Sequence, residues 1–149
     1  MTGSYRVLVT GSRDWDDRRR IFGALDALLA QCEMEPRKTL VVIHGDAPQG
    51  ADAMARRWVY VKLNATVADV REERHPAQWG THGKRAGFIR NAEMVDTGAD
   101  LCLAYVMPCS RPGCRRRDEH GSHGATHCAD LTEKAGIDVR RFYAEAVRS

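Results

Sequence analysis

Short apolar runs that end in glycine alternate along this chain with segments of helical period, and this alternation constrains the fold more than any other feature. The runs YRVLVTG (5–11) and TLVVIHG (39–45) have the β-branched composition of buried strands. Between them, segment 17–32 carries apolar residues at helical spacing, namely Ile21, Leu25, Leu28 and Leu29. The alternation continues, with strands predicted at 65–70, 99–106 and 137–142 and helices at 50–62, 84–98 and 126–136. We therefore predict an α/β fold, a single-domain three-layer Rossmann-like sandwich whose mostly parallel sheet has about five strands.

The length and composition of the chain favour one soluble domain spanning residues 1–149. A chain of 149 residues can bury a core without disulfide or metal cross-links. It has no charged-then-apolar leader pattern and no apolar stretch of about 18 residues, so we expect a cytoplasmic protein without a membrane partner. Its five cysteines are an odd number, and Cys32 and Cys102 lie in strongly patterned apolar segments, which disfavours disulfides.

Two polar loops interrupt the alternation. Segment 71–83 (REERHPAQWGTHG) follows the third predicted strand, and segment 107–125 (MPCSRPGCRRRDEHGSHGA) is an insertion after the fourth that is rich in Cys, His and Arg. Loops of this length in a compact domain are usually functional or disordered. Both are predicted at the carboxyl ends of the strands, which is where open parallel sheets bind ligands.

The turns after the first two strands have the composition of a site for an anionic ligand. In the first turn, Gly11 lets backbone approach a ligand, Ser12 offers a hydroxyl, and Arg13 offers a planar cation suited to phosphate or carboxylate. The second turn, HGDAPQGAD (44–52), contributes the candidate ligand residues Gly45, Asp46, Gly50 and Asp52. The two aspartates suit ribose hydroxyls or helix capping, and both alternatives stay open. Both turns lead into helices whose first N–H groups lack intrahelical partners, which favours anion binding.

A cation and an amide follow near the start of the third predicted helix. Arg90 and Asn91, in AGFIRNAEM (86–94), are predicted to lie on the same rim as Arg13. Two arginines on one rim favour a polyanionic ligand. The alternative is that Arg90 pairs with Glu93 or Asp96 along its own helix, which is a weak surface interaction.

Five segments of the chain together resemble a known family. VLVTGSRDWDD, VVIHGDAPQGADAMARRW, GKRAGFIRNAEMV, ADLCLAY and HGATHCADLTEKAGIDV follow in the order and spacing of the YspA/YpsA-related branch of the SLOG superfamily. This branch is frequent in actinobacteria and their phages and is related to the Lonely Guy phosphoribohydrolases and to the DNA-processing protein DprA. The resemblance implies a Rossmann-like fold, a homo-oligomer and a site for a nucleotide or nucleotide-derived ligand. That site is carried over here onto Gly11, Ser12, Arg13, Gly45, Gly50, Asp52, Arg90, Asn91, Gly124 and Thr126.

One departure from these relatives bears on catalysis. The phosphoribohydrolases have a PGGxGTxxE signature after the fourth strand, whose glutamate serves hydrolysis at the ribose, whereas this chain has SHGATHCAD with Ala129 at the glutamate position. The remaining glycine and threonine of the signature can still hold a phosphate. Cleavage of a ribosyl bond would need a carboxylate, and the candidates are Asp46, Asp52 and Glu93.

The insertion after the fourth strand has the residue types of a metal site. Cys109, Cys114, His120 and His123 supply two thiol and two imidazole ligands, enough for a tetrahedral structural zinc, in a loop with little apolar content. The spacing between the cysteines is loose for such a site, and the spacing between the histidines is short. The alternative is a mobile basic loop that closes over a bound anion.

Three functions from different classes stay open on this evidence. The leading hypothesis is a module that binds or senses a nucleotide-derived small molecule, because cations and glycine turns share one rim without an evident acid–base pair. The second is a nucleotide hydrolase or N-glycosidase. The third is a DprA-like binder of single-stranded DNA, indicated by the basic run 115–117 and the aromatics Trp15 and Trp79, although a net charge of +3 is too small to imply nucleic-acid binding.

Overall fold

Strands and helices alternate along the whole of the computed structural model, which describes residues 3–63, 65–110, 112–115 and 120–144. The strands are β1 (Ser4–Gly11), β2 (Thr39–His44), β3 (Val70–Arg74), β4 (Leu101–Val106) and β5 (Asp138–Tyr143). The helices are α1 (Arg18–Glu33), α2 (Ala51–Lys62), α3 (Trp79–His82), α4 (Ala86–Asp96) and α5 (His123–Lys134), with a 3-10 turn at Gly83–Arg85.

All five strands are parallel and form one sheet in the order β3-β2-β1-β4-β5. The central strand is β1, whose Leu8 lies opposite Ile43 of β2 and Cys102 of β4. The chain builds the sheet outward from β1 through β2 to β3, and then on the other side of β1 through β4 to β5. This arrangement confirms the predicted parallel α/β fold. The direction of strand order reverses between β1 and β4, and at such a point the carboxyl ends of the strands form a crevice suited to ligands.

Two hydrophobic cores lie on opposite faces of the sheet, because successive side chains of a strand point to opposite sides. Val7 packs in one core with Leu25 of α1 and Trp58 of α2. Its neighbour Leu8 packs in the other core with Met94 of α4 and with α5. The sheet is therefore the middle of three layers, with α1 and α2 on one face and α4 and α5 on the other.

The third strand lies later in the chain than the sequence predicts. The prediction of a strand at 65–70 is wrong, since β3 begins only at Val70 and continues through residues that the sequence analysis assigned to a polar loop. The strand is at the edge of the sheet and pairs only with β2. Its carboxylates, Glu72 and Glu73, have hydrogen-bond partners on β2 and β1, respectively. Charged pairs therefore stabilise this edge strand in place of the apolar pattern that marks a central strand.

The loops at the carboxyl edge are shorter than predicted. The predicted loop 71–83 includes α3 as well as part of β3. The insertion after β4 ends at Ser122 because α5 begins at His123, three residues before the predicted start. The first turn of α5 is polar, so its hydrophobic periodicity becomes visible only later. Among the residues that the structure describes, no helix combines the length and the apolar character needed to cross a membrane.

Candidate functional site

The turns after β1 and β2 pack directly against each other at the carboxyl edge of the sheet. Gly50, the residue before α2, has a φ of +77°, and a Cβ there would overlap the Ser12 carbonyl oxygen and lie 2.6 Å from backbone atoms of Arg13. A Cβ on Gly11 would overlap Ala51, the first residue of α2. The contact between the two turns therefore requires both glycines, whether or not a ligand is bound.

Ser12 joins the first turn to the start of α5. Its hydroxyl lies 2.5 Å from the hydroxyl of Ser122 and accepts a hydrogen bond from the Met107 amide at 2.9 Å. Ser122 is the residue that precedes α5, yet its side chain makes no hydrogen bond to that helix. Ser122 consequently does not cap the first amides of α5. Arg13, which follows Ser12, lies on the turn that contacts this helix start.

His44 is fully buried and links β2, the second turn and β3. Its Nδ1 accepts a hydrogen bond from the Asp46 amide at 3.0 Å, and its Nε2 lies 2.7 Å from a carboxylate oxygen of Glu72. Because Nδ1 accepts, Nε2 carries the hydrogen and donates it to Glu72. Asp46 itself has a φ of +55°, and its carboxylate pairs with Arg56 of α2 at 3.2 Å. Asp46 is therefore part of a network that holds the second turn.

Asp52 is the buried carboxyl of this edge. It lies in the first turn of α2 and accepts a hydrogen bond from the Ala47 amide at 3.2 Å. Burial raises the pKa of Asp52 above the ordinary aspartate value. The Ala47 amide, Arg90 and Arg13 oppose this shift. A buried carboxyl near cations can hold a proton or bind hydroxyl groups.

Arg90 and Asn91 hold neighbouring segments of the edge together. Arg90 Nη1 donates to the Gly45 carbonyl oxygen, and Arg90 Nε donates to the Asn91 side-chain oxygen at 2.9 Å. A Cβ on Gly45 would lie 2.6 Å from the guanidinium carbon of Arg90, so the absence of a side chain lets the guanidinium reach this turn. The Asn91 side-chain nitrogen donates to the Gly124 carbonyl oxygen at 3.3 Å. Both residues thus lie at the predicted edge, and several of their polar atoms form hydrogen bonds with other residues of the chain.

The three candidate catalytic carboxylates differ in their surroundings. Asp52 is 7% exposed, whereas Asp46 is half-buried and paired with an arginine. Glu93 is exposed on α4, and its carboxylate makes no hydrogen bond or ion pair with the described residues. The alternative pairing of Arg90 with Glu93 or Asp96 is likewise not found in the described part of the chain.

Arg13 and Trp79 form an exposed cation–aromatic pair at the rim. The guanidinium carbon of Arg13 lies 5.5 Å from the centre of the Trp79 ring, and Trp79 is 50% exposed. Trp79 lies over Gly87 of α4, where a Cβ would be 3.6 Å from the ring. On the same helix, Phe88 contacts the ring of His127 with the ring centres 4.5 Å apart. The rim therefore presents one guanidinium and an aromatic surface to solvent.

The first turn of α5 brings Gly124 and Thr126 to this edge. A Cβ on Gly124 would meet nothing within 4 Å, so the space beside its backbone is open. His127 follows Thr126, and its Nδ1 lies 3.3 Å from the Asn91 side-chain nitrogen. Burial lowers the pKa of His127, which favours the neutral imidazole. The turns after β1, β2 and β4 and the start of α4 thus bring the predicted ligand residues to one edge of the sheet.

The four predicted metal ligands also come together. The ligand atoms of Cys109, Cys114, His120 and His123 all lie within 4.8 Å of one another, and all four side chains are partly buried. The first three belong to the connection between β4 and α5, and His123 is the first residue of α5. Such a Cys2His2 set can hold a metal ion.

The residues that indicated DNA binding differ in their exposure to solvent. Trp15 is 2% exposed and packs on Tyr105 with ring centres 5.2 Å apart, so it cannot stack on a base as predicted. Arg115 is exposed, whereas Arg116 and Arg117 lie outside the described residues. Trp79 is thus the one exposed aromatic of the predicted pair.

A cavity of about 430 Å³ lies beside α2 and β3. Its lining includes Arg56, Tyr60, Leu63, Glu72 and Arg74. None of the predicted ligand residues lines this cavity. The cavity therefore gives no support to the site that the sequence predicts, which rests on the geometry of the turns.

Sequence reasoning missed several contacts that organise the edge. The His44–Glu72 pair joins residues 28 positions apart, and the Ser12–Ser122 pair joins residues 110 positions apart. Hydrophobic periodicity carries no signal for such pairs. The one available signal was a polar residue, His44, at the end of an otherwise apolar strand.

Comparison with known proteins agrees with the resemblance noted above. Residues 5–82, just over half of the chain, match the sequence profile of the family described as YAcAr: YspA, cpYpsA-related SLOG family. The chain is also similar to the Gene 61 protein of Mycobacterium phage D29, with 43% identity over 137 residues that cover 92% of this chain and 95% of the phage protein. No solved structure is significantly similar to the chain. The chain therefore belongs to the YspA, cpYpsA-related SLOG family.

Proposed function

We propose that the protein binds a nucleotide, or another phosphorylated ribosyl ligand, at the carboxyl ends of its strands and acts as a binding or sensing module. Membership of a SLOG family supports a nucleotide-related ligand in general. The observation that carries the proposal is the hydrogen bond between Ser12 and Ser122, because it joins the turn that contains Arg13 to a helix start that Ser122 does not cap. An exposed guanidinium and uncapped helical amides both suit a phosphate group.

The first turns of α2 and α5 suggest how such a ligand is oriented. The first turn of α2 already contains the carboxyl of Asp52, which disfavours a phosphate there. The first turn of α5 contains no acidic residue, and it offers the open backbone of Gly124 and the hydroxyl of Thr126. In our proposal the phosphate binds at α5 and Arg13, the ribose hydroxyls bind Asp52, and the base packs against Trp79.

Replacing Arg13 with alanine should weaken the binding of nucleoside monophosphates by about ten- to a hundredfold, because a charge-assisted hydrogen bond contributes about 1.5–3 kcal/mol. The melting temperature of the free protein should stay unchanged, since the side chain is exposed and its contact with Trp79 is weak. Isothermal titration of the wild type and the variant with the four monophosphates measures the effect.

A matched control for this variant is Arg37→Ala. Arg37 is also exposed, but it lies just before β2 and therefore at the opposite edge of the sheet. Its replacement should leave nucleotide affinity unchanged. Equal affinities in the Arg13 and Arg37 variants would remove Arg13 from the site, and a wild type that binds none of the monophosphates would contradict the proposed function.

A hydrolase is the second candidate, and the setting of Asp52 is the observation that favours it. A buried carboxyl with a raised pKa is suited to general acid catalysis at a ribosyl bond. Against this candidate, Ala129 replaces the glutamate of the phosphoribohydrolase signature. We therefore expect nucleoside monophosphates and NAD to remain intact when they are incubated with the protein.

Replacing Asp52 with asparagine should remove a pH-dependent loss of stability. A carboxyl whose folded pKa lies above its unfolded pKa binds more protons in the folded state, so the free energy of unfolding falls as the pH rises from the ordinary value of 3.8 through the raised one. Asparagine cannot ionise, and its side-chain oxygen can still accept from the Ala47 amide. Urea unfolding of both proteins from about pH 4 to about pH 8 should show the variant gaining stability relative to the wild type as the pH rises.

The same variant separates binding from hydrolysis. Chromatography of wild-type reactions should show no free base or ribose phosphate. If the wild type releases these products and Asp52→Asn does not, the binding-module proposal is wrong and the hydrolase takes its place.

The stability measurements test the environment of Asp52 separately. A stability difference between the wild type and Asp52→Asn that is independent of pH would contradict the burial assigned to this carboxyl.

A further inference from the structure

Four ligand atoms lie together beside the start of α5, all within 4.8 Å of one another. Cys109 Sγ lies 3.4 Å from His123 Nε2, and Cys114 Sγ lies 3.5 Å from Nε2 of both His120 and His123. The two Nε2 atoms are 3.2 Å apart. Zinc bonds of about 2.3 Å to sulfur and about 2.0–2.1 Å to nitrogen, at tetrahedral angles, require ligand separations of about 3.3–3.8 Å. The four distances given above are close to this requirement.

We propose that Cys109, Cys114, His120 and His123 bind one structural Zn²⁺. Two thiolates and two imidazoles form a donor set that selects zinc over hard cations such as Mg²⁺ and Ca²⁺. Four protein ligands complete a tetrahedral shell and leave no position for a substrate or a catalytic water. The role of the ion is therefore to hold the polypeptide, and it takes no part in a reaction.

The described residues of the segment that supplies the ligands form no hydrophobic core of their own. None of the residues described between 107 and 122 is fully buried. Its two arms, residues 107–109 and 120–122, are hydrogen-bonded to each other. The Cys109 amide donates to the His120 carbonyl oxygen at 2.8 Å, and the Ser122 amide donates to the Met107 carbonyl oxygen at 2.9 Å. This pairing places Cys109 opposite His120. A metal ion that bridges both arms supplies the cross-link that apolar packing does not.

The proposed ion connects to the candidate ligand site through the start of α5. His123 is the first residue of that helix, and Ser122 before it bonds to Ser12 of the first glycine turn. Metal binding should therefore fix the helix start where we place the phosphate, an expectation that rests on the proposed function. Metal binding itself does not depend on that function.

Elemental analysis of protein purified without chelators should find about one zinc per chain. The double variant Cys109→Ala/Cys114→Ala should lose it, whereas Cys32→Ala should keep it, because Cys32 is buried in the core at the end of α1. Replacement by Co²⁺ should give the visible spectrum of a tetrahedral thiolate site in the wild type and no such spectrum in the double variant. Chelation should also accelerate tryptic cleavage within 107–122.

If the double variant does not fold, a single variant still tests metal binding. His120→Ala leaves three ligands and should weaken Co²⁺ binding in a titration, whereas His82→Ala, at an exposed histidine on α3, should leave it unchanged. A folded wild type that contains no metal and takes up neither Zn²⁺ nor Co²⁺ would overturn the proposal. Normal metal binding without any nucleotide binding would leave the zinc site standing and would contradict only the proposed function.

Discussion

Replacing Gly50 with alanine is expected to destabilise the protein by about 2–5 kcal/mol, because it adds backbone strain to an overpacked contact. Gly50 has a φ of +77°, which side-chain-bearing residues rarely adopt, and a Cβ would overlap the Ser12 carbonyl oxygen. The atoms that must move are backbone atoms of the first glycine turn, so nucleotide affinity should fall together with stability. Urea unfolding and monophosphate titration of the same preparation measure the two effects.

The control for this substitution is Gly23→Ala. Gly23 lies on the exposed side of α1, and a Cβ there would meet nothing within 4 Å. Alanine should therefore stabilise the helix by about 0.5–1 kcal/mol and leave nucleotide affinity unchanged. If Gly50→Ala were as well tolerated as Gly23→Ala, the close contact between the first two turns would be wrong.

Replacing His44 with alanine should cost about 3 kcal/mol of stability, since it combines a buried cavity with the loss of two hydrogen bonds. The ring is fully buried, and without it the Asp46 amide loses its acceptor and Glu72 loses a donor. Glu72 keeps its pairing with Arg74, which limits the cost. Thermal and urea unfolding of the variant measure this loss.

His75→Ala provides a matched comparison at the same edge of the sheet. His75 also pairs with a glutamate, Glu73, at 3.0 Å, but its side chain is 20% exposed and Glu73 keeps its bond to Arg6. Its replacement should cost less than about 1 kcal/mol, as is typical of solvent-exposed pairs. Equal losses at His44 and His75 would contradict the special position assigned to His44.

Much of the fold could be predicted because its signals are local. The strands β1 and β2 were located to within one residue at both ends, since parallel strands covered on both faces are continuous apolar runs. The Cys and His cluster was also predictable, because its four members lie within one segment from Cys109 to His123. The third strand could not be located in this way. Its charged residues are stabilised by partners on other strands, as Glu73 is by Arg6.

Some features of the candidate site could likewise be predicted from the sequence, whereas others depend on the tertiary structure. Glycines, serine, arginine and aspartates after apolar strands were enough to mark the carboxyl edge as the candidate ligand site, because the order of elements along the chain decides where turns must lie. The sequence alone left open whether Arg90 pairs along its own helix, and it carried no signal for the burial of Asp52. Tertiary structure showed that Arg90 reaches across to Gly45 and that Asp52 is buried. A side chain's partners and its loss of water depend on segments that are distant in sequence, and only packing of the whole chain brings those segments together.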